Sequence, residues 1–349
     1  MKRIKVLIVD DSAFMRRVLR QILETAGDIE VLDVARDGLE GVEKALLLQP
    51  DVVTLDINMP GMDGLTALHY IVTGTQARVV MISSLTQEDA LATFEALELG
   101  AVDFVAKPDG TVSLGINRLA GEIVSKVRAA ARARVRRGAR RWTAPARKKP
   151  HGFHSVNKMD WLVVIGVSTG GPRTLEDILP QLPAGLQAGV VVVQHMPARF
   201  TASLASRFNQ HCPFRVEEAG EGLPVEPGMA VIARGGYHLL FLNMNEKLCC
   251  HLSSSPENTA FKPSVNVTLQ AAMECFVPDR IIGVLLTGMG DDGADAMLEL
   301  RRRGGFTIAE SEETAVVWGM PRAAIERGGA SVVAPSYKIA DIIKQKVGG

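Results

Sequence analysis

The sequence predicts an α/β protein made of two parallel-sheet domains joined by a basic linker, and three features point to it. Short apolar runs alternate with stretches of helical spacing in both halves of the 349-residue chain, the pattern of a doubly wound sheet. Charge is polarised: residues 1–122 hold 11 Lys/Arg against 19 Asp/Glu, residues 123–159 hold 12 Lys/Arg and no acid, and residues 160–349 hold 16 against 20. Residues able to do chemistry recur just past the apolar runs, at the strand ends where open α/β sheets form their crevices. The expected organisation is a doubly wound, five-stranded parallel domain over 1–122, a linker over 123–159, and a mainly parallel α/β domain with a β-rich insertion over 160–349.

In the first half, Ile4–Val9, Val31–Val34, Val52–Leu55, Val79–Ile82 and Val102–Val105 read as strands. After the first of them, Phe14, Val18, Leu19, Ile22 and Leu23 fall on one helical face. The strand ends carry Asp10 and Asp11, then Asp56, then Ser83, then Lys107 before Pro108. Three carboxylates on one rim repel one another unless a hard divalent cation binds them through oxygen, and Mg²⁺ is the natural choice. A lysine and a hydroxyl on the same rim suit an anionic group held near that metal.

In the second half, Trp161–Ile165 runs into Gly166-Val167-Ser168-Thr169-Gly170-Gly171-Pro172. The spacing predicts strand, tight turn and helix, with Pro172 in the first helical turn. Ser168 is then presented at the turn, beside backbone N–H groups that favour developing negative charge. The run Gly189–Val193 leads to His195, and Ile281–Leu286 leads into a glycine turn holding Asp291 and Asp292. A nucleophilic serine needs a base and a group that orients the base. Ser168, His195 and one of the two aspartates supply that set on a single rim. The order Ser, His, Asp differs from that of α/β-hydrolases, and a second strand ending in Gln194-His195, where an acidic ribose ligand would be expected, disfavours a dinucleotide. Met229–Ala233, Tyr237–Leu242 and Lys247–Leu252 read as strands of the insertion over 214–252, and a helix is expected to start near Pro263.

Composition narrows the class. Cys212, Cys249, Cys250 and Cys275 have neither zinc-ligand spacing nor the density of a disulfide scaffold, which fits a reducing cytoplasm. The start Met1-Lys2-Arg3-Ile4 is no signal peptide, and no apolar run nears the roughly 20 residues that span a bilayer. The densest basic run, Arg132 to Arg141, has only Trp142 as a neighbouring aromatic and no DNA-binding motif after it. It reads as a solvated linker. The expectation is a cytoplasmic protein without nucleic-acid partners or membrane insertion.

Val9-Asp10-Asp11-Ser12, Leu55-Asp56-Ile57-Asn58-Met59-Pro60-Gly61, Ser83-Ser84 and Val105-Ala106-Lys107-Pro108 resemble the receiver domain of two-component response regulators. The resemblance implies that Asp56 accepts a phosphoryl group. It also implies that Asp10, Asp11, Asp56 and the Asn58 carbonyl form the Mg²⁺ site, that Ser83 and Lys107 sense the phosphate, and that Phe104 holds the aromatic switch position. With Gly166 to Gly171, Gln194-His195-Met196-Pro197, Lys262-Pro263-Ser264-Val265, Leu286 to Gly293 and Gly319-Met320-Pro321-Arg322, essentially the whole chain resembles the CheB family of chemotaxis protein-glutamate methylesterases.

That resemblance implies hydrolysis of glutamate methyl esters on methyl-accepting chemoreceptors by Ser168, His195 and Asp292, and deamidation of glutamine by the same residues. It further implies a histidine kinase of the CheA type as phosphodonor, no cofactor in the catalytic site, and a receiver domain that blocks Ser168 until phosphorylated. Asp292, immediately before Gly293, is the aspartate that matches; Asp291 stands where members often have Asn. Asn58 stands where many have Glu, next to the phosphorylation site. Phe261 stands where many have a polar or basic residue, implying a changed grip on substrate. A phosphorylation-gated adaptor is the rival from another class, and the intact Ser168, His195 and Asp292 argue against it. A DNA-binding regulator would need a helix-turn-helix that the sequence lacks.

Overall fold

Parallel pairing dominates both halves of the protein, as the alternation of apolar runs with helical stretches requires. The computed structural model describes residues 3–83, 86–107, 116–133 and 159–348. It divides into two units, Met1–Arg140 and Arg141–Gly349.

The first unit runs β1 (Ile4–Val9), α1 (Ala13–Thr25), β2 (Ile29–Ala35), α2 (Gly38–Leu48), β3 (Val52–Asp56), α3 (Gly64–Gly74), β4 (Arg78–Ser83), α4 (Gln87–Leu99), β5 (Asp103–Ala106) and α5 (Ile116–Arg132). Its strands lie in the order β2-β1-β3-β4-β5, every pair parallel. Helices on both faces explain why Val6 to Val9 and Val52 to Asp56 are buried without alternation. Ser12, Asp37 and Asp63 cap α1, α2 and α3 by accepting a backbone N–H of the first turn.

Helix α5 continues past the boundary expected at residue 122 to Arg132. Ile123, Val127 and Ala130 are buried, Lys126 pairs with Asp103 at 3.3 Å, and Arg128 pairs with Asp28 at 2.7 Å. The guanidinium of Arg78 donates to the Ala133 carbonyl at 3.1 Å. Lys126 and Arg128, assigned to the linker by charge, are thus part of helix α5 and pair with acids of the unit on which it packs. Ser84, Pro108 and the linker over 134–158 lie outside the described residues.

The second unit runs β6 (Trp161–Val167), α6 (Gly171–Glu176), β7 (Ala188–Gln194), α7 (Ala198–His211), β8 (Arg215–Glu218), β9 (Met229–Ile232), β10 (His238–Met244), β11 (Lys247–Ser253), α8 (Val265–Cys275), β12 (Ile281–Leu285), α9 (Ala294–Arg302), β13 (Phe306–Glu310), α10 (Met320–Glu326), β14 (Val332–Ala334) and α11 (Ser336–Gly348). The main sheet has the order β14-β13-β12-β6-β7-β9-β8. The expected insertion over 214–252 therefore divides. β8 and β9 extend the main sheet in parallel, and only β10 and β11 form a separate antiparallel hairpin. Four buried apolar residues in β9 are too short a run to tell a parallel edge from a hairpin by pattern. Leu162, Val164, Val191 and Val193 line one face of the sheet and share a core with Val265, Leu269 and Ala272 of α8 and Met297 and Leu300 of α9.

Candidate functional site

Strand β6 lies between β12 and β7, so three neighbouring strands deliver Ser168, His195 and Asp292 to one rim. The Ser168 N–H donates to the Thr287 carbonyl at 2.9 Å, and the Gly171 N–H donates to the Ser168 carbonyl at 2.8 Å. The Gln194 amide donates to the carbonyls of Ser168 at 3.0 Å and His195 at 3.3 Å, tying the serine turn to the end of β7. The His195 N–H donates to Val167 at 3.1 Å. A Cβ at Gly288 would stand 2.8 Å from the Ser168 Cβ and 2.3 Å from the Met320 sulfur. Only glycine lets that turn approach the serine so closely.

His195 Nε2 lies 2.8 Å from Asp292 Oδ2, with the His195 side chain 4% exposed and that of Asp292 12% exposed. Asp292 sits at the start of α8. Its Oδ1 accepts from the Ser264 hydroxyl at 2.8 Å and the Asn266 N–H at 3.1 Å, and its Oδ2 from the Val265 N–H at 2.7 Å. Burial pushes the Asp292 carboxyl up, but the bond to His195, the attraction of its ring and the two backbone donors outweigh burial and hold it below the usual carboxylate range. With Nε2 engaged, Nδ1 of His195 is the free nitrogen; it is buried and has no hydrogen-bond partner among the described residues. Phe261 covers a face of the same ring, centroids 4.1 Å apart and planes 8° from parallel. Asp291 turns outward, 63% exposed, and pairs with Arg327, which also holds Asp295 at 2.8 Å. Of the two aspartates, Asp292 is the one brought to His195.

Sequence reasoning missed what holds Asp292 and Ser168. A serine before the first apolar residue of a helix is an N-cap signal, and Ser264 is that cap, yet nothing local says that its hydroxyl also donates to a carboxylate 28 residues away. Gln194 stands in a segment that carries the family resemblance, yet nothing local says that its amide bonds the Ser168 turn.

The first unit gathers a second constellation. Asp10, Asp11 and Asp56 each offer an oxygen within 4.8 Å of the others, Asp10 and Asp56 buried and Asp11 exposed. Lys107 Nζ stands 2.7 Å from Asp56 and 3.2 Å from Asp10. Asp10 Oδ2 meets that lysine as an ion pair but has no aligned hydrogen bond. Burial pushes Asp56 up to about 6, against the pull of Lys107, and raises Asp10 as well. Burial pulls Lys107 down, yet the two carboxylates together leave it raised. An all-oxygen set with a buried oxygen lacking a donor fits a hard divalent cation.

The other expected members lie close to this rim. The Asn58 amide donates to Asp89 at 2.6 Å, and the Ser83 hydroxyl accepts from Thr93 at 2.8 Å. Phe104 is buried on β5 with the Lys126 ammonium 4.9 Å from its ring centre.

Comparison with known families matches residues 163–343 to the CheB methylesterase and residues 6–114 to the response regulator receiver domain. A protein-glutamate methylesterase/protein-glutamine glutaminase of Caldanaerobacter subterraneus subsp. tengcongensis is 57% identical, covering 99% of this chain and 97% of its own. The chain belongs to the CheB methylesterase family. A relative of the same description from Carboxydothermus hydrogenoformans is 54% identical over 99% of this chain and all of its own length. The crystal structure of the Thermotoga maritima CheB methylesterase catalytic domain is similar with a TM-score of 0.52 at 44% identity, covering 53% of this chain and 97% of that one. As a CheB-family protein the chain couples a hydrolase to a receiver domain, whose acidic rim is suited to a divalent metal. Among the described residues no helix is long and apolar enough to cross a membrane.

Proposed function

We infer that this chain hydrolyses glutamate methyl esters, and the side-chain amide of glutamine, on chemoreceptors, with Ser168 as nucleophile, His195 as base and Asp292 as the acid that orients it. The observation that carries the reading is the short His195–Asp292 pair beside the Ser168 turn, with Nδ1 left unpartnered. Ser168 Oγ attacks the ester carbonyl carbon while His195 Nδ1 takes its proton. The tetrahedral adduct collapses, and the methoxy oxygen leaves as methanol with that proton. Water, deprotonated by the same nitrogen, then splits the acyl-serine and restores the hydroxyl. Asp292 keeps the other ring proton on Nε2 and stabilises the imidazolium. Ser168→Ala abolishes methanol release from methylated receptor with an unchanged circular-dichroism spectrum; wild-type release from the folded variant removes Ser168 from the mechanism.

Control lies in the receiver domain. Asp56 is the phosphoryl acceptor, a histidine kinase of the CheA type is the donor, and Asp10, Asp11, Asp56 and the Asn58 carbonyl hold Mg²⁺. When bound there, a divalent cation would neutralise charge on the phosphoryl oxygens. Lys107 contacts the arriving phosphate, and Ser83 and Phe104 report it to the neighbouring helices. The unphosphorylated receiver restrains access to Ser168. A small-molecule phosphodonor with Mg²⁺ activates the intact chain and leaves Asp56→Ala at its basal rate; equal activation of both excludes Asp56 as the acceptor.

A further inference from the structure

Phe261 lies flat on His195, 4.1 Å between ring centres at 8°. The resemblance implied a changed grip on substrate at Phe261; in the structure one face of its ring packs on the imidazole. His195 is thereby gripped twice, at its Nε2 edge by Asp292 and on one face by Phe261. An edge bond alone acts as a hinge about which the ring can tilt. A stacked neighbour removes that tilt.

The loop that delivers Phe261 is pinned from below by a wholly buried histidine, His238. Its Nδ1 accepts the Ser264 N–H at 3.3 Å, so Nε2 carries the proton, 3.1 Å from the Pro256 carbonyl and 3.2 Å from the Thr259 hydroxyl. The Thr259 hydroxyl donates in turn to the Phe261 carbonyl at 3.0 Å. One residue on, the Lys262 carbonyl accepts the Gly236 N–H at 3.0 Å, and Lys262 Nζ donates to Ser254 at 2.7 Å. The circuit closes on the catalytic set, because Ser264 donates to Asp292 and Asp292 holds His195.

We propose that Phe261 is a positioning residue: stacked on His195 by the loop anchored at His238, it fixes the plane in which Nδ1 meets the Ser168 hydroxyl. The proposal rests on His195 being the base. Phe261 is 38% exposed, so its replacement leaves the core intact.

The test uses the full chain, with kcat and KM for methanol release from methylated receptor and the rate at which a fluorophosphonate labels Ser168. In that labelling the serine oxygen bonds phosphorus, fluoride leaves, and the proton passes to the base, with no receptor surface involved. Phe261→Ala lowers kcat and the labelling rate about 10-fold, the scale of a small misalignment of reacting groups, with KM within about twofold. Phe261→Tyr, which keeps the stack, restores both. A raised KM with unchanged kcat and labelling overturns the proposal and returns Phe261 to substrate binding. His195→Ala separates the two levels. If it leaves labelling intact, the base assignment itself fails; if it abolishes labelling while Phe261→Ala does not change it, only the stacking role fails.

Discussion

Asp292 and Asp56 are both buried carboxylates beside a nitrogen partner, and they titrate in opposite directions. Asp56 has Lys107 at 2.7 Å and one backbone donor, the Ile57 N–H at 2.8 Å; burial wins and its pKa rises to about 6. Asp292 has His195, the Ser264 hydroxyl and two backbone N–H groups at the start of α8; the donors win and its pKa falls. The donors, set against burial and, at Asp56, against the repulsion of the neighbouring Asp10 carboxylate, decide the sign. The contrast suits the two tasks. On the proposed roles, a carboxylate that takes a covalent group is left short of partners, whereas one that holds an imidazole still is saturated with them.

The largest expected effect removes the saturated partner. Asp292→Asn keeps size and shape but cannot hold the proton on Nε2 of His195, and the loss is on the order of 10⁴-fold in kcat. Asp291→Asn breaks only the exposed pair with Arg327 and leaves kcat within about twofold, since exposed ion pairs carry little energy. Steady-state methanol release by both variants decides between them. A larger loss at Asp291 would reverse the assignment of the acid.

The next effect tests the under-coordinated site. Mg²⁺ that binds Asp10, Asp11 and Asp56 only in the native state stabilises it by about 2.7 kcal/mol at roughly 100 times its Kd. The thermal midpoint of the receiver transition in the full chain then rises on adding Mg²⁺ and falls back with a chelator. Asp11→Ala blunts the rise. Identical melting of the parent chain with Mg²⁺ and with chelator refutes a native-state site on this rim.

The same contrast explains what was legible in the sequence. Ser168, His195, Asp292, Asp10, Asp11, Asp56 and Lys107 stand at strand ends, and strand ends follow from apolar runs, so their gathering on two rims could be read from pattern. The partners that set their chemistry come from distant segments. Ser264 reaches Asp292 across 28 residues and Gln194 reaches Ser168 across 26, and neither distance leaves a periodic trace. Lys126 and Arg128 look like linker charge until Asp103 and Asp28 are found opposite them. β8 and β9 were set apart because runs of four residues carry no sign of the direction in which they pair.

Glu310 supplies the intermediate case and the smallest predicted effect. It ends β13 wholly buried, and its carboxylate accepts the Thr287 N–H at 2.8 Å and the Thr314 hydroxyl at 2.8 Å. Two donors with no cationic partner among the described residues do not offset burial, which pushes its pKa up to about 7. A carboxyl raised in the folded state adds stability that is complete below its ordinary value and is lost as pH rises through about 7. Above that pH the ionised group weighs against the native state. Glu310→Gln keeps an acceptor for Thr287 and removes the charge, so it stabilises the second unit above pH 7 by roughly 1–3 kcal/mol, with the full shift of the carboxyl as the upper bound. At a pH well below 5 the two proteins unfold alike. Trp161 and Trp318, both in that unit, report its urea unfolding by fluorescence. A stability difference of the same size at acid and alkaline pH would show that Glu310 does not titrate in this range, and that two donors suffice to hold a buried carboxylate where one and a lysine do not.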